Sequence, residues 1–258
     1  MLAVAWMAPW PVFVVAGAVI GLLVGLFGVG GSSIATPLLA VLGVPGLLAV
    51  ASPLPATIPA ALGAVVPYLR NETARPRAAG WTLIGSVPAA IAGAFLSQVI
   101  GGSVLLYASG IVLTIVGIRV VRPIGETQQL AGTMRRKNRL VLVAVSAAVG
   151  LFSGLLANGG GFLLVPMYLL VFGLDMRQAA GTSLLVIAVL TLPILAAHAV
   201  LGHIDWSVAG EFAAGAIPTS IVSGRLAQRA TSGGLRKAFG WFLAGCGVAF
   251  VLYRLLGA

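Results

Sequence analysis

Two clusters of small residues dominate the chemistry this sequence could do. The first is Gly30-Gly31-Ser32-Ser33 within "GLFGVGGSSIATPLL"; the second is Asn158-Gly159-Gly160-Gly161 within "GLLANGGGFLLVPMYLL". A glycine tract that opens a helix leaves first-turn N–H groups unpaired at the positive end of the helix dipole. It also lets an anion approach the backbone closely. Asn158 is suited to cap such a helix start. Ser52 in one half of the chain, and Thr182 with Ser183 in the other, offer a second hydroxyl layer beside another helix start. The predicted substrate-binding set is therefore Gly30, Gly31, Ser32, Ser33, Ser52, Asn158, Gly159, Gly160, Gly161, Thr182 and Ser183. The chemistry is recognition of a small anion by amides and hydroxyls, not bond making. No P-loop, carboxylate pair or paired Cys/His metal spacing is present, so no enzyme, cofactor or metal centre is expected. Few ionisable residues fall inside apolar runs. Of these, His198 and Glu211 are the candidates for coupling to a proton or another ion. His198 reads first as an interfacial or packed histidine and second as a proton carrier. Glu211, about a turn inside its helix, reads first as reaching the interface.

The elements that must position these residues are membrane helices. The chain has 258 residues, 60% of them apolar and 8% charged, and its mean hydropathy is +1.11. Apolar runs of about 17 to 25 residues recur from end to end, the length that crosses a bilayer as a helix. The alternating pattern of a membrane β-barrel is absent. The fold class is all-α, a polytopic integral membrane protein. The net charge of +10 comes from clusters between apolar runs, around Arg70–Arg77, Arg119–Arg139 and Arg225–Lys237. That is the positive-inside distribution and not a nucleic-acid-binding face. The single cysteine, Cys246, allows no intrachain disulfide and reads as a packing residue. The N-terminus lacks a basic n-region, so the first apolar run is expected to be retained.

The chain contains an internal duplication. Gly21, Gly25, Gly30, Gly31 and Pro37 recur as Gly150, Gly154, Gly159, Gly160 and Pro166 at a constant spacing of 129. Beyond one inserted residue the spacing becomes 130, and Gly85, Pro88 and Gln98 recur as Gly215, Pro218 and Gln228. The repeats are placed at 1–125 and 140–258, joined by a basic linker at 126–139. Helices are predicted at 12–28, 32–42, 48–69, 79–100 and 103–121, then at 140–156, 161–172, 179–201, 206–224 and 235–256. Loop charges place the 70–78 connection and the central linker in the cytoplasm, but the connection at 202–205 outside. The two repeats are thus expected to be inverted, each a short helical hairpin followed by three long transmembrane helices. An eleven-residue helix rises only about 16 Å against a hydrocarbon core of about 30 Å. The glycine tips should therefore lie deep in the membrane, meeting near the midplane as broken helices do in secondary transporters. Gly21/Gly25 and Gly150/Gly154, four apart, read as close-packing sites. The tryptophans read as interface anchors.

The two tip motifs, with the "GLDMRQAAGTSLLVI" continuation of the second, resemble the repeat motifs of the TauE/SafE family of membrane permeases. The resemblance covers essentially the whole chain. Ser32 and Ser33 stand where another glycine and a bulkier residue are common, and Pro53 replaces the serine expected after Ser52. The resemblance implies export of sulfite, thiosulfate or an organosulfonate such as sulfoacetate, by alternating access coupled to a proton or sodium gradient. The residues themselves reach only a small anion at a midplane site. A carrier of another small anion such as a carboxylate, and a non-transporting membrane scaffold, stay open as alternatives. The expected partners are the anionic substrate, the lipid bilayer of a bacterial-type plasma membrane and a coupling ion, with no nucleic acid. Homo-oligomeric assembly is left open.

Overall fold

A computed structural model of the chain describes residues 9–100, 115, 117–120, 137–155, 161–200 and 202–255. Every regular element among them is helical: α1 (Trp10–Phe27), α2 (Ser32–Val41), α3 (Gly46–Ala51), α4 (Leu54–Arg70), α5 (Pro76–Ile100), α6 (Lys137–Leu155), α7 (Gly161–Pro166), α8 (Met176–Val200), α9 (Trp206–Arg229) and α10 (Ser232–Leu255). The helix predicted at 103–121 falls almost wholly outside the described residues. The last turns of α7 widen into a π-helix at Met167–Val171. Among the described residues, Trp10–Phe27, Leu48–Arg70 and Met176–Val200 are long and apolar enough to cross a membrane. Trp10 and Trp206 open their helices and are largely exposed, as interface anchors should be.

The helix expected over 48–69 is two helices. Ser52 and Pro53 form a turn between α3 and α4. Pro53 and Pro55 have no N–H to offer the carbonyls of Ala49 and Ala51, so the hydrogen-bond ladder stops there. The expected start at 179 moves to Met176, where the Asp175 carboxylate accepts the N–H groups of Arg177 and Gln178.

The two most extensive helix contacts are α1 on α9 and α5 on α6. Both are seams of small residues. A Cβ on Gly17, Gly21 or Gly25 of α1 would collide with the backbone of Phe212, Ala216 or Ser220 of α9. In the other seam Gly150 and Gly154 of α6 press on Ser86 and Ala90 of α5. Gly215 against Val14 is matched by Gly85 against Val143. Each contact maps onto its counterpart at the repeat spacing, and the close-packing role expected for the glycines four apart is what the helices show.

Between the seams lie α4 and α8, the same helix of the two repeats. Gly181, early in α8, touches Tyr68 near the end of α4. At the other end Ala51 and Leu54 cluster with Ile204 and with Ile194 and Leu195 late in α8. The two helices therefore run in opposite directions.

Candidate functional site

Ending a helix inside lipid exposes carbonyls that no water can satisfy. The end of α1 shows how this chain avoids that cost. Gly28 closes the helix in a left-handed conformation, φ 68°, and its N–H bonds the Val24 carbonyl. Tyr68 of α4, fully buried, donates its hydroxyl proton to the Gly25 carbonyl at 2.7 Å. Ser183 of α8 donates to the Gly28 carbonyl at 2.8 Å. Helices from both repeats thus hold the first tip. A side chain on Gly28 would strike the backbone of Ala180, so glycine is required there twice over, by conformation and by space.

From Gly28 the chain returns through Val29, Gly30 and Gly31, all buried, into α2. The residue before α2 is Gly31, and no side chain caps the helix. Its first-turn N–H groups, at Ser32, Ser33 and Ile34, have no partner within the helix. The Ser32 hydroxyl oxygen is buried and has no hydrogen-bond partner. Gly31 faces Ile20 and Val24 of α1 and the Thr57 hydroxyl of α4, at 3.1, 3.3 and 3.8 Å from where its Cβ would stand. Ile20 and Val24 flank Gly21, which packs against Ala216, close to the middle of the Trp206–Arg229 helix. The start of α2 is therefore near the mid-length of the bundle, far from both ends of α9.

The other residues of the predicted set fall into three groups. Asn158, Gly159 and Gly160 lie outside the described residues, and Gly161 opens α7. Ser33 sits in the first turn of α2. Ser52, Thr182 and Ser183 are fully buried, but their hydroxyls are in use. The Ser52 oxygen accepts the Asp205 N–H at 3.0 Å. The Thr182 oxygen accepts the Arg75 N–H at 3.0 Å and donates to the Gln178 carbonyl at 2.6 Å. Arg75 and Asp205, like Ser52 and Thr182, are 130 apart. The same hydroxyl-to-amide bond is thus made twice, once at each end of the α4–α8 pair. These hydroxyls anchor the starts of α5 and α9 and do not gather around the α2 tip. Tyr68 and Thr57 were not in the predicted set. Tyr68 carried a signal, since it aligns with His198, but its partner carbonyl is distant in sequence.

The two ends of the bundle differ in charge. Arg177 donates from its guanidinium to the Gln228 carbonyl at 3.2 Å, and Thr73 reaches the Gln228 side chain. These contacts gather the 70–77 and 225–237 basic clusters at one end. Asp205, His203 and the half-buried His198 and Glu211 belong to the other.

Long apolar helices and tight small-residue seams define the chain as an integral membrane protein of the transporter class. Within that class it belongs to the "Sulfite exporter TauE/SafE" family, whose model matches residues 13–250. It is 29% identical to a "Probable membrane transporter protein" of Xylella fastidiosa (strain 9a5c), covering 92% of this chain and 93% of that one. It is 27% identical to the "Probable membrane transporter protein YjnA" of Bacillus subtilis (strain 168), over 83% and 88% of the two chains. No solved structure matches.

Proposed function

We propose that the protein is a secondary transporter, acting as an exporter, of a small sulfur-containing anion such as sulfite, thiosulfate or a sulfoacetate-like organosulfonate. The observation that carries this reading is the start of α2: an uncapped helix N-terminus at mid-bundle depth, with a buried, unpartnered Ser32 hydroxyl beside it. A desolvated oxyanion would satisfy both the amides and the hydroxyl. In this reading the repeats are inverted, as the opposed directions of α4 and α8 support, and the second tip at Asn158–Gly161 faces the first across the midplane. The anion is held by amides of Gly30, Gly31, Ser32 and Ser33 and of Gly159, Gly160 and Gly161, with the Ser32 hydroxyl. Ser52, Thr182 and Ser183 keep the surrounding helix starts and the tip carbonyls in place. The basic end, with the central linker, faces the cytoplasm of a bacterial-type plasma membrane, in keeping with the positive-inside rule. His198 or Glu211, toward the other end, carries the coupling ion. Rocking of one bundle against the other exposes the site to each face in turn.

The test is flux. In liposomes, labelled sulfite, thiosulfate or sulfoacetate should cross at rates well above protein-free vesicles, and above acetate. Flux of acetate alone would point to a carboxylate carrier. Flux of none of the four would point to a scaffold and remove the reading.

A further inference from the structure

The chain has two histidines, and the fold puts them side by side. Their Nδ1 atoms are 3.3 Å apart, with ring centroids separated by 5.4 Å. The backbone holds them there. The His203 N–H bonds the His198 carbonyl at 3.0 Å, the Gly202 N–H bonds the Ala199 carbonyl at 3.2 Å, and Gly202 is left-handed at φ 70°. This is the Schellman ending of a helix, in which the first and last residues of the motif touch through side chains that are commonly apolar. Here that contact is a pair of imidazoles.

The other repeat makes the comparison. α4 ends in the same motif: the Thr73 N–H bonds the Tyr68 carbonyl at 2.9 Å, the Glu72 N–H bonds the Leu69 carbonyl at 3.1 Å, and Glu72 is left-handed at φ 53°. Tyr68 and Thr73 occupy the positions of His198 and His203. The backbone device is therefore general to the fold, but the nitrogen pair exists only at the end of the bundle away from the basic loops.

Two Nδ1 atoms facing each other need something between them. A shared ring proton is one filler, although 3.3 Å is long for it. A metal ion is the other. Two ligands bound at about 2.0–2.1 Å with a tetrahedral angle stand about 3.3–3.4 Å apart, the spacing typical of zinc. The Asp205 carboxylate adds no third ligand on the page: its Oδ1 caps α9 through the Ser207 and Val208 N–H groups. Among the described residues no three metal-ligating side chains gather. We infer that His198 and His203 form a two-nitrogen chelate for a zinc-class divalent transition metal, with its remaining positions open to water or an anion. The ion would tie the end of α8 to the connection that leads into α9. This rests on the helix ending alone and stands apart from the anion reading.

The test uses the full chain in detergent, without a polyhistidine tag, titrated with Co²⁺ and back-titrated with Zn²⁺. The expected result is one saturable site with the intense visible bands of four-coordinate cobalt, displaced by Zn²⁺. Affinity should fall as pH drops below the imidazole range, because protons compete for the ligands. Outer-shell changes already cost metal sites about 10–100-fold, so losing a ligand in His203→Ala should cost at least about tenfold. The double variant His198→Tyr/His203→Thr installs the pair that the same motif carries in the other repeat, so it keeps the helix ending and should lose the bands. No saturable binding by the unaltered protein would overturn the inference. So would weak bands that persist in both variants.

Discussion

Replacing Ser32 by alanine removes one oxygen from a place where nothing in the protein bonds it. A buried hydroxyl without a partner costs folding about 1–3 kcal/mol. The ligand-free Ser32→Ala protein should therefore unfold at the same temperature as the parent or higher. The same oxygen, donated to a bound anion, makes a charge-assisted hydrogen bond worth about 1.5–3 kcal/mol. Its loss should weaken anion binding by about 10- to 150-fold, at about 1.4 kcal/mol per factor of ten. The pair of effects is the diagnostic, because a merely structural serine would lose stability and leave affinity alone. The assay is thermal unfolding of the detergent-solubilised protein across a titration of sulfite, thiosulfate and sulfoacetate. A ligand that prefers the native state raises the midpoint with its concentration. A variant less stable than the parent without anion, yet with an unchanged concentration dependence, would refute the reasoning.

Two further outcomes follow from buried hydrogen bonds. Tyr68→Phe strips the donor from the Gly25 carbonyl and should cost about 1–3 kcal/mol, read as a lower unfolding midpoint in the absence of any anion. Ser52→Ala and Thr182→Val each strand one amide, that of Asp205 or Arg75, at opposite ends of the α4–α8 pair. Their costs should each fall near 1–3 kcal/mol and add within about 0.5 kcal/mol in the double variant, which denaturation midpoints would measure.

Helix existence and the duplication were legible because both rest on local pattern. Apolar length marked the spans, and glycine spacing marked the seams. The Ser52-Pro53 break was missed because the apolar run continues through it, and hydropathy does not record a missing N–H. Ser52 and Thr182 were correctly picked out as a matched pair of buried hydroxyls. Their partners, Asp205 and Arg75, lie across the repeat boundary, where no local reading reaches. Ser183 was read as a ligand of the anion, whereas its proton goes to the carbonyl of Gly28. The pairing of His198 with His203 was hidden for another reason. A spacing of five residues puts no two side chains together on a helix, but a left-handed glycine between them reverses the chain.

The glycine seam also has a consequence for biogenesis. α1 carries Gly17, Gly21 and Gly25, shaped to the backbone of α9, yet the ribosome makes these helices at opposite ends of the chain. At about 5–20 residues per second, α1 waits on the order of 10–40 s for its partner. Through that interval its notched face has only lipid, or an insertion chaperone, to cover it. A nascent chain arrested before α9 should therefore be a substrate for membrane quality control, while one arrested just after it should not.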